Sequence, residues 1–143
     1  MTQVDFYILS DQAPGNRHAL ACRLANKAWR EGHRVYLHTN SAEESQHLDK
    51  LLWTFREDSF LPHGLLDSSD PRLNPVLIGN GENTGEEHDV LVNLATQVPT
   101  FFSRFQRVAE IIDHDPEIRN AGRERFRFYR DRGYPLNTHD IKK

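Results

Sequence analysis

The side chains with the clearest chemical potential in this chain are arginines near its C-terminal end. Positions 119–132 hold six arginines and no lysine. Four of them, Arg119, Arg123, Arg127 and Arg130, recur at steps of four, four and three, which are neighbouring positions on the surface of a helix. Phe126 lies at the edge of the same stripe. Guanidinium groups are planar, always charged, and meet carboxylates and phosphates through paired hydrogen bonds. A basic stripe beside an aromatic ring therefore suits a ligand that combines acidic groups with a flat apolar group. The alternative is a solvated charged face with no ligand.

The charge distribution bears on that choice. The chain carries 18 Lys/Arg against 21 Asp/Glu, a net charge of −3. Residues 119–143 hold eight basic and three acidic side chains, net +5, which leaves −8 for the other 118 residues. A local basic region on an acidic body points to a small acidic partner or a short run of phosphates; a duplex DNA binder is more often broadly basic. The 143 residues, 37% hydrophobic and 27% charged, fit one ordered domain spanning 1–143. One cysteine, Cys22, excludes an intrachain disulfide and fits a reducing compartment; its place among alanines and leucines suggests a buried, inert thiol. The N-terminus lacks the basic start and apolar run of a secretory signal. No apolar stretch approaches the ~20 residues of a membrane span, so a cytoplasmic location with no membrane partner is expected.

The stripe must be positioned by a scaffold. Val4–Leu9 reads as a strand, and Asn16 caps a helix running to about Glu31, with Gly32 past its end. Arg34–His38 is a second strand, and Ser41 with Glu44 forms a capping-box pattern ahead of a helix carrying Leu48, Leu51 and Leu52. From Trp53 to Leu66 the periodicity fails and a loop is expected. Val76–Ile78, Asp89–Leu94 and Val108–Ile112 read as strands, with Phe101, Phe102 and Phe105 forming an apolar helix face between the last two. Asp115 and Pro116 start the arginine helix and Gly133 stops it. On that helix Ile118, Gly122 and Tyr129 share the core face. Arg125 points into the same face, either lying along apolar surface or reaching a carboxylate elsewhere. Alternating strands and helices predict an α/β fold: three layers, a mostly parallel sheet, helices on both faces.

Such a fold invites a nucleotide, and the glycines fail that test. Gly79, Gly81 and Gly85 are spaced one residue too long for the dinucleotide fingerprint. They precede a strand where the mechanism needs a helix N-terminus. The expectation is a Rossmann-like domain without a nucleotide-binding loop, with no cofactor. The eight histidines lack ligand spacing, so no metal centre is expected, and there is no G-x-S-x-G elbow. No catalytic residue is assigned.

A second surface involves Trp53 and Phe55 with Phe60, Leu61 and Pro62. These aromatics read either as a satellite core under the sheet edge or as anchors of a protein interface.

These residues carry a resemblance. Leu48-Asp49 through Leu52-Trp53, then Asp58-Ser59-Phe60-Leu61-Pro62-His63, resemble the chi subunit family of bacterial DNA polymerase III. The run Ala121-Gly122-Arg123-Glu124-Arg125-Phe126-Arg127-Phe128-Tyr129-Arg130, with Gly133 and Leu136-Asn137-Thr138, is similar to that family's last helix and tail. Phe6-Tyr7-Ile8-Leu9 and the Ala25–Val35 segment also fit, so the likeness runs in order along nearly the whole chain. It implies a non-catalytic clamp-loader accessory subunit that pairs with the psi subunit and binds the acidic, Phe-ending C-terminal tail of single-stranded DNA-binding protein. By the resemblance, Arg123, Phe126 and Arg127 would bind the tail, with Arg119, Arg130 and Ile112 at the margins. Trp53, Phe60, Leu61 and Pro62 would face psi. The family often has Tyr and Lys where this chain has Phe126 and Arg127, and the Gly79–Glu87 loop does not match its pattern. Two other classes stay open: a direct single-strand nucleic-acid binder, which needs aromatics spaced along a basic groove, and an α/β enzyme.

Overall fold

A computed structural model describes residues 1–55 and 60–142. Its strands are β1 (Gln3–Leu9), β2 (Val35–His38), β3 (His63–Leu65), β4 (Val76–Gly79), β5 (Val90–Asn93), β6 (Arg107–Ile112) and β7 (Leu136–Ile141). The helices are α1 (Arg17–Arg30), α2 (Ala42–Thr54) and α3 (Pro116–Asp131). The strands form one sheet in the order β3-β4-β2-β5-β6-β1-β7, and every pairing is parallel.

The topology explains the layers. From β1 through α1 to β2, and from β2 through α2 to β3, the chain moves towards one edge of the sheet. From β6 through α3 to β7 it moves the other way. Right-handed crossovers in opposite directions must lie on opposite faces. The core divides accordingly. Leu20, Ala21, Cys22, Leu48, Leu52 and Leu61 pack with Leu9, Leu37 and Ile78 on the α1/α2 face. Tyr129, Phe101, Phe102 and Phe105 pack with Phe6, Tyr36 and Val108 on the α3 face.

Local chemistry sets the helix ends. Asn16 accepts a hydrogen bond from Ala19 N at 3.0 Å, and Ser41 Oγ accepts from Glu44 N at 3.2 Å. The returning Glu44 carboxylate reaches Asn40 N at 2.8 Å, one residue before the box's usual partner. Asp115 accepts from Glu117 N at 2.9 Å at the start of α3, and Gly133, with φ +78°, turns the chain past its end.

The structure departs from the sequence reading in four places. The second helix continues through Trp53 and Thr54, so Trp53 projects from a helix and not from a loop. The rest of the expected 53–66 loop lies partly on residues 56–59, outside the described residues, and ends in β3. Phe101, Phe102 and Phe105 sit on a single 3-10 turn (Phe102–Arg104) that returns to extended backbone at Phe105, and from that one turn all three rings reach the α3-face core. The chain also adds β7 beyond α3, an edge strand whose inner residues are exposed.

Candidate anion-binding groove

The α3 helix crosses above β6 because Gly122 allows it. A Cβ at that position would collide with the Ile112 side chain at the end of β6. The close approach leaves a groove of about 420 Å³ beside the helix, between α3 and the end of β1. Phe6, Ile8, Ile112, Gly122 and Phe126 provide its apolar part, and Arg119, Arg123 and Asp11 its charged part. The Phe126 ring is half-buried and meets Phe6 edge-on, with ring centroids 5.3 Å apart.

The four arginines of the stripe differ in what they touch. Arg119 donates through Nε to the Asp113 carbonyl at 3.1 Å and through its terminal nitrogen to the Asp11 carboxylate. Arg127 pairs with Glu124 at 2.7 Å, and Arg130 with the adjacent Asp131 at 3.2 Å. Arg123 donates to the neutral Asn120 amide at 2.9 Å and has no carboxylate partner among the described residues. It is therefore the guanidinium at the groove with its charge unmatched.

Arg125 settles into the second of its two readings. It is buried at 4% exposure and donates through Nε to Glu110 at 2.8 Å. Glu110 is fully buried on β6 and also accepts from the Tyr129 hydroxyl at 2.7 Å and the Asn93 amide at 3.0 Å. Arg125 also donates to the Thr96 carbonyl at 3.1 Å. This satisfied network fixes α3 to the sheet and thereby sets the angle at which the stripe is presented. Burial, then the Glu110 charge, pushes the Tyr129 hydroxyl far above its usual range. At the strand ends Asp113 accepts from Arg17 N and from Asp115 N. Burial alone would raise its carboxyl, but these donors and the Arg17 charge hold it below the usual value.

The aromatic surface lies elsewhere. Trp53, at the end of α2, is 54% exposed and Phe60 68% exposed, with ring centroids 5.8 Å apart. Trp53 also leans on His63 at 4.5 Å, and His63 is fixed between the carbonyls of Leu61 and Asp49 at 2.7 and 2.9 Å. Pro62 is half-buried. Leu61, grouped with these residues in the sequence, turns inward and is 1% exposed in the α1/α2 core. Its role is to hold the segment while Trp53, Phe60 and Pro62 face out.

The crevice at the C-terminal ends of β2, β4 and β5, where open α/β sheets commonly hold ligands, is lined by His38, Asn40, Asn80, Glu82, Gln97 and Phe101 among others. No lysine or arginine is among its lining residues; its polar groups are neutral amides and hydroxyls with the Glu82 carboxylate and the His38 imidazole. His38 is nine-tenths buried with Nδ1 unpartnered. Burial holds its imidazole below the ordinary range, opposed in part by the Glu44 charge. Cys22 is fully buried, and burial raises its thiol to about 12, beyond the range of a working nucleophile. Among the described residues no group of three His, Cys, Asp or Glu could hold a metal ion. No helix there is long and apolar enough to cross a membrane.

Sequence reasoning missed Asp11, Phe6 and Ile8 as groove residues. Asp11 and Arg119 are 108 positions apart, and only β1–β6 pairing brings them together.

Fold and groove together define an α/β domain whose conspicuous site is a half-apolar, half-cationic surface groove on its last helix. Comparison with known proteins places that description. Residues 1–137 match the family model described as DNA polymerase III chi subunit, HolC. The chain is 45% identical over 141 residues to the DNA polymerase III subunit chi of Pseudomonas aeruginosa, covering 99% of this chain and 98% of that one. It is 28% identical to the subunits of the same name from Haemophilus influenzae, over 95% of each chain, and Escherichia coli, over 96% of this chain and 97% of that one. The chain belongs to the DNA polymerase III chi subunit family, and an accessory role in DNA replication follows from that membership.

Proposed function

We propose that this chain is a non-catalytic adaptor: its α3 groove holds the acidic, Phe-ending C-terminal tail of single-stranded DNA-binding protein, and its Trp53/Phe60/Pro62 surface holds the psi subunit and, through psi, the clamp loader. The observation that carries the reading is the groove's composition. An apolar floor of Ile112, Phe6 and Phe126 beside the unmatched guanidinium of Arg123 offers a ring and a carboxylate adjoining places, as such a tail requires. The exposed Trp53–Phe60 pair has the composition of an interface anchor.

The test is a titration of a fluorescent peptide ending in Asp-Asp-Ile-Pro-Phe, beside the same peptide without its Phe and a single-stranded oligonucleotide. Saturable binding of the full peptide, lost without the Phe, supports the adaptor. Tighter, steeply salt-dependent binding of the oligonucleotide would replace it with direct nucleic-acid recognition. Co-purification with psi, lost on Phe60→Ala, tests the second surface.

A further inference from the structure

We infer that Asp11 is an internal competitor for the groove, occupying Arg119 in the free protein and thereby setting how acidic a ligand must be to bind; this rests on the peptide-binding reading proposed above. Asp11 sits in the turn after β1 and lines the groove together with Arg119, Arg123 and Phe126. Its carboxylate, 73% exposed, bonds the Arg119 guanidinium, and His114 Nδ1 lies 3.8 Å from the same oxygen. The other end of Arg119 is pinned by the Asp113 carbonyl, and the Asp113 carboxylate is itself taken by Arg17.

Two consequences follow from this placement. A protein carboxylate already makes the contact with Arg119 that a ligand carboxylate would make. It also adds a like charge at the groove mouth, which a ligand's acidic groups must either displace or sit beside. Asp11 is exposed on a turn, so it can leave Arg119 without unpacking the core. A ligand with one carboxylate finds Arg123 alone; a ligand with several gains enough to displace Asp11 and reach Arg119 as well. Asp11 thus acts as a specificity-determining residue through charge counting.

The experiment compares wild type, Asp11→Asn, Asp11→Ala, Arg119→Gln, the double variant D11N/R119Q and Glu117→Gln. The last neutralises an exposed acid on the first turn of α3 that does not line the groove. Each is titrated with the Asp-Asp-Ile-Pro-Phe peptide at fixed salt. Both Asp11 variants are expected to bind about three- to tenfold tighter than wild type. E117Q should stay within about twofold, and with Arg119 absent D11N should keep only the smaller gain, about twofold, that comes from removing a like charge at the groove mouth. Binding by D11N with none by wild type would also support the competitor. If wild type binds and the Asp11 variants bind equally or more weakly, the competitor role is overturned while the peptide site stands. A D11N gain that is undiminished without Arg119 overturns it as well. If no variant binds, both fall.

Discussion

The unequal partners of the four stripe arginines make a quantitative prediction about peptide binding. Replacing Arg123 by alanine removes a guanidinium that gives up only a neutral amide contact with Asn120 in the free protein. Its hydrogen bond to a ligand carboxylate is therefore nearly all gain, about 1.5–3 kcal/mol for a charge-assisted bond. That corresponds to roughly a 10- to 150-fold loss of affinity for Arg123→Ala. Arg127 and Arg130 start from carboxylate partners, Glu124 at 2.7 Å and Asp131 at 3.2 Å. A ligand that recruits them exchanges one exposed ion pair for another, worth about 0–1 kcal/mol, so Arg127→Ala and Arg130→Ala should each weaken binding by no more than about fivefold. Fluorescence anisotropy with the acidic peptide, at low and moderate salt, measures all three. Circular dichroism melts should show each variant within about 0.5 kcal/mol of wild type, since these are exposed helix positions. Equal losses for Arg123 and Arg127, or a larger one for Arg130, would refute the reasoning that pre-existing pairing decides which cations bind.

Further outcomes are expected from the core and the second surface. Glu110→Gln should cost about 3–5 kcal/mol in denaturant unfolding, because Arg125 is left buried and unpaired; a loss under about 1 kcal/mol would show that the network does not anchor α3. Phe60→Ala should leave stability within about 0.5 kcal/mol yet weaken psi capture by at least about 30-fold, while Leu61→Ala should cost about 2–5 kcal/mol by opening a core cavity; similar behaviour of the two would contradict their assignment to surface and core. For His38 the folded imidazole titrates below its unfolded range, so the unfolded state binds more protons as pH falls. Its contribution to stability is present above about pH 6.5 and is lost as pH drops towards the folded value. Denaturant curves from pH 7.5 to 5 should therefore fall less steeply for His38→Gln than for wild type, and parallel curves would exclude the effect.

How much of this was legible depends on which forces hold each part. The arginine helix could be read residue by residue, because Asp115, Pro116 and Gly133 mark its ends and Tyr129 with Gly122 marks its buried side. The parallel sheet followed from short apolar runs such as Val76–Ile78, which are buried on both faces. β7 escaped because Leu-Asn-Thr-His-Asp-Ile has no alternation: its four central residues are exposed, and backbone pairing to β1 holds it in place. The phenylalanine spacing at 101–105 suggested a helix, yet three rings can fill a core from one tight turn as well as from a helix face. At the groove, the cations were visible and their occupancy was not. The Arg127–Glu124 pair is local, three residues apart, and could have been read from helical spacing. The Arg119–Asp11 pair depends on the strand order.

The order of the strands also fixes where the two proposed partners could sit. The Trp53–Phe60 surface adjoins β3 and the N-terminal ends of the strands, on the α2 face; the groove adjoins β1 and the C-terminal ends, on the α3 face. β3 and β1 are separated by five strand steps, about 24 Å at ~4.8 Å per step. A spacer of that span, with its two surfaces on opposite sides of one sheet, would let the two proposed partners dock without touching. Its contribution would be co-localisation: while both partners are bound they are held a few tens of ångströms apart, and any further contact between them becomes an intramolecular event at high effective concentration.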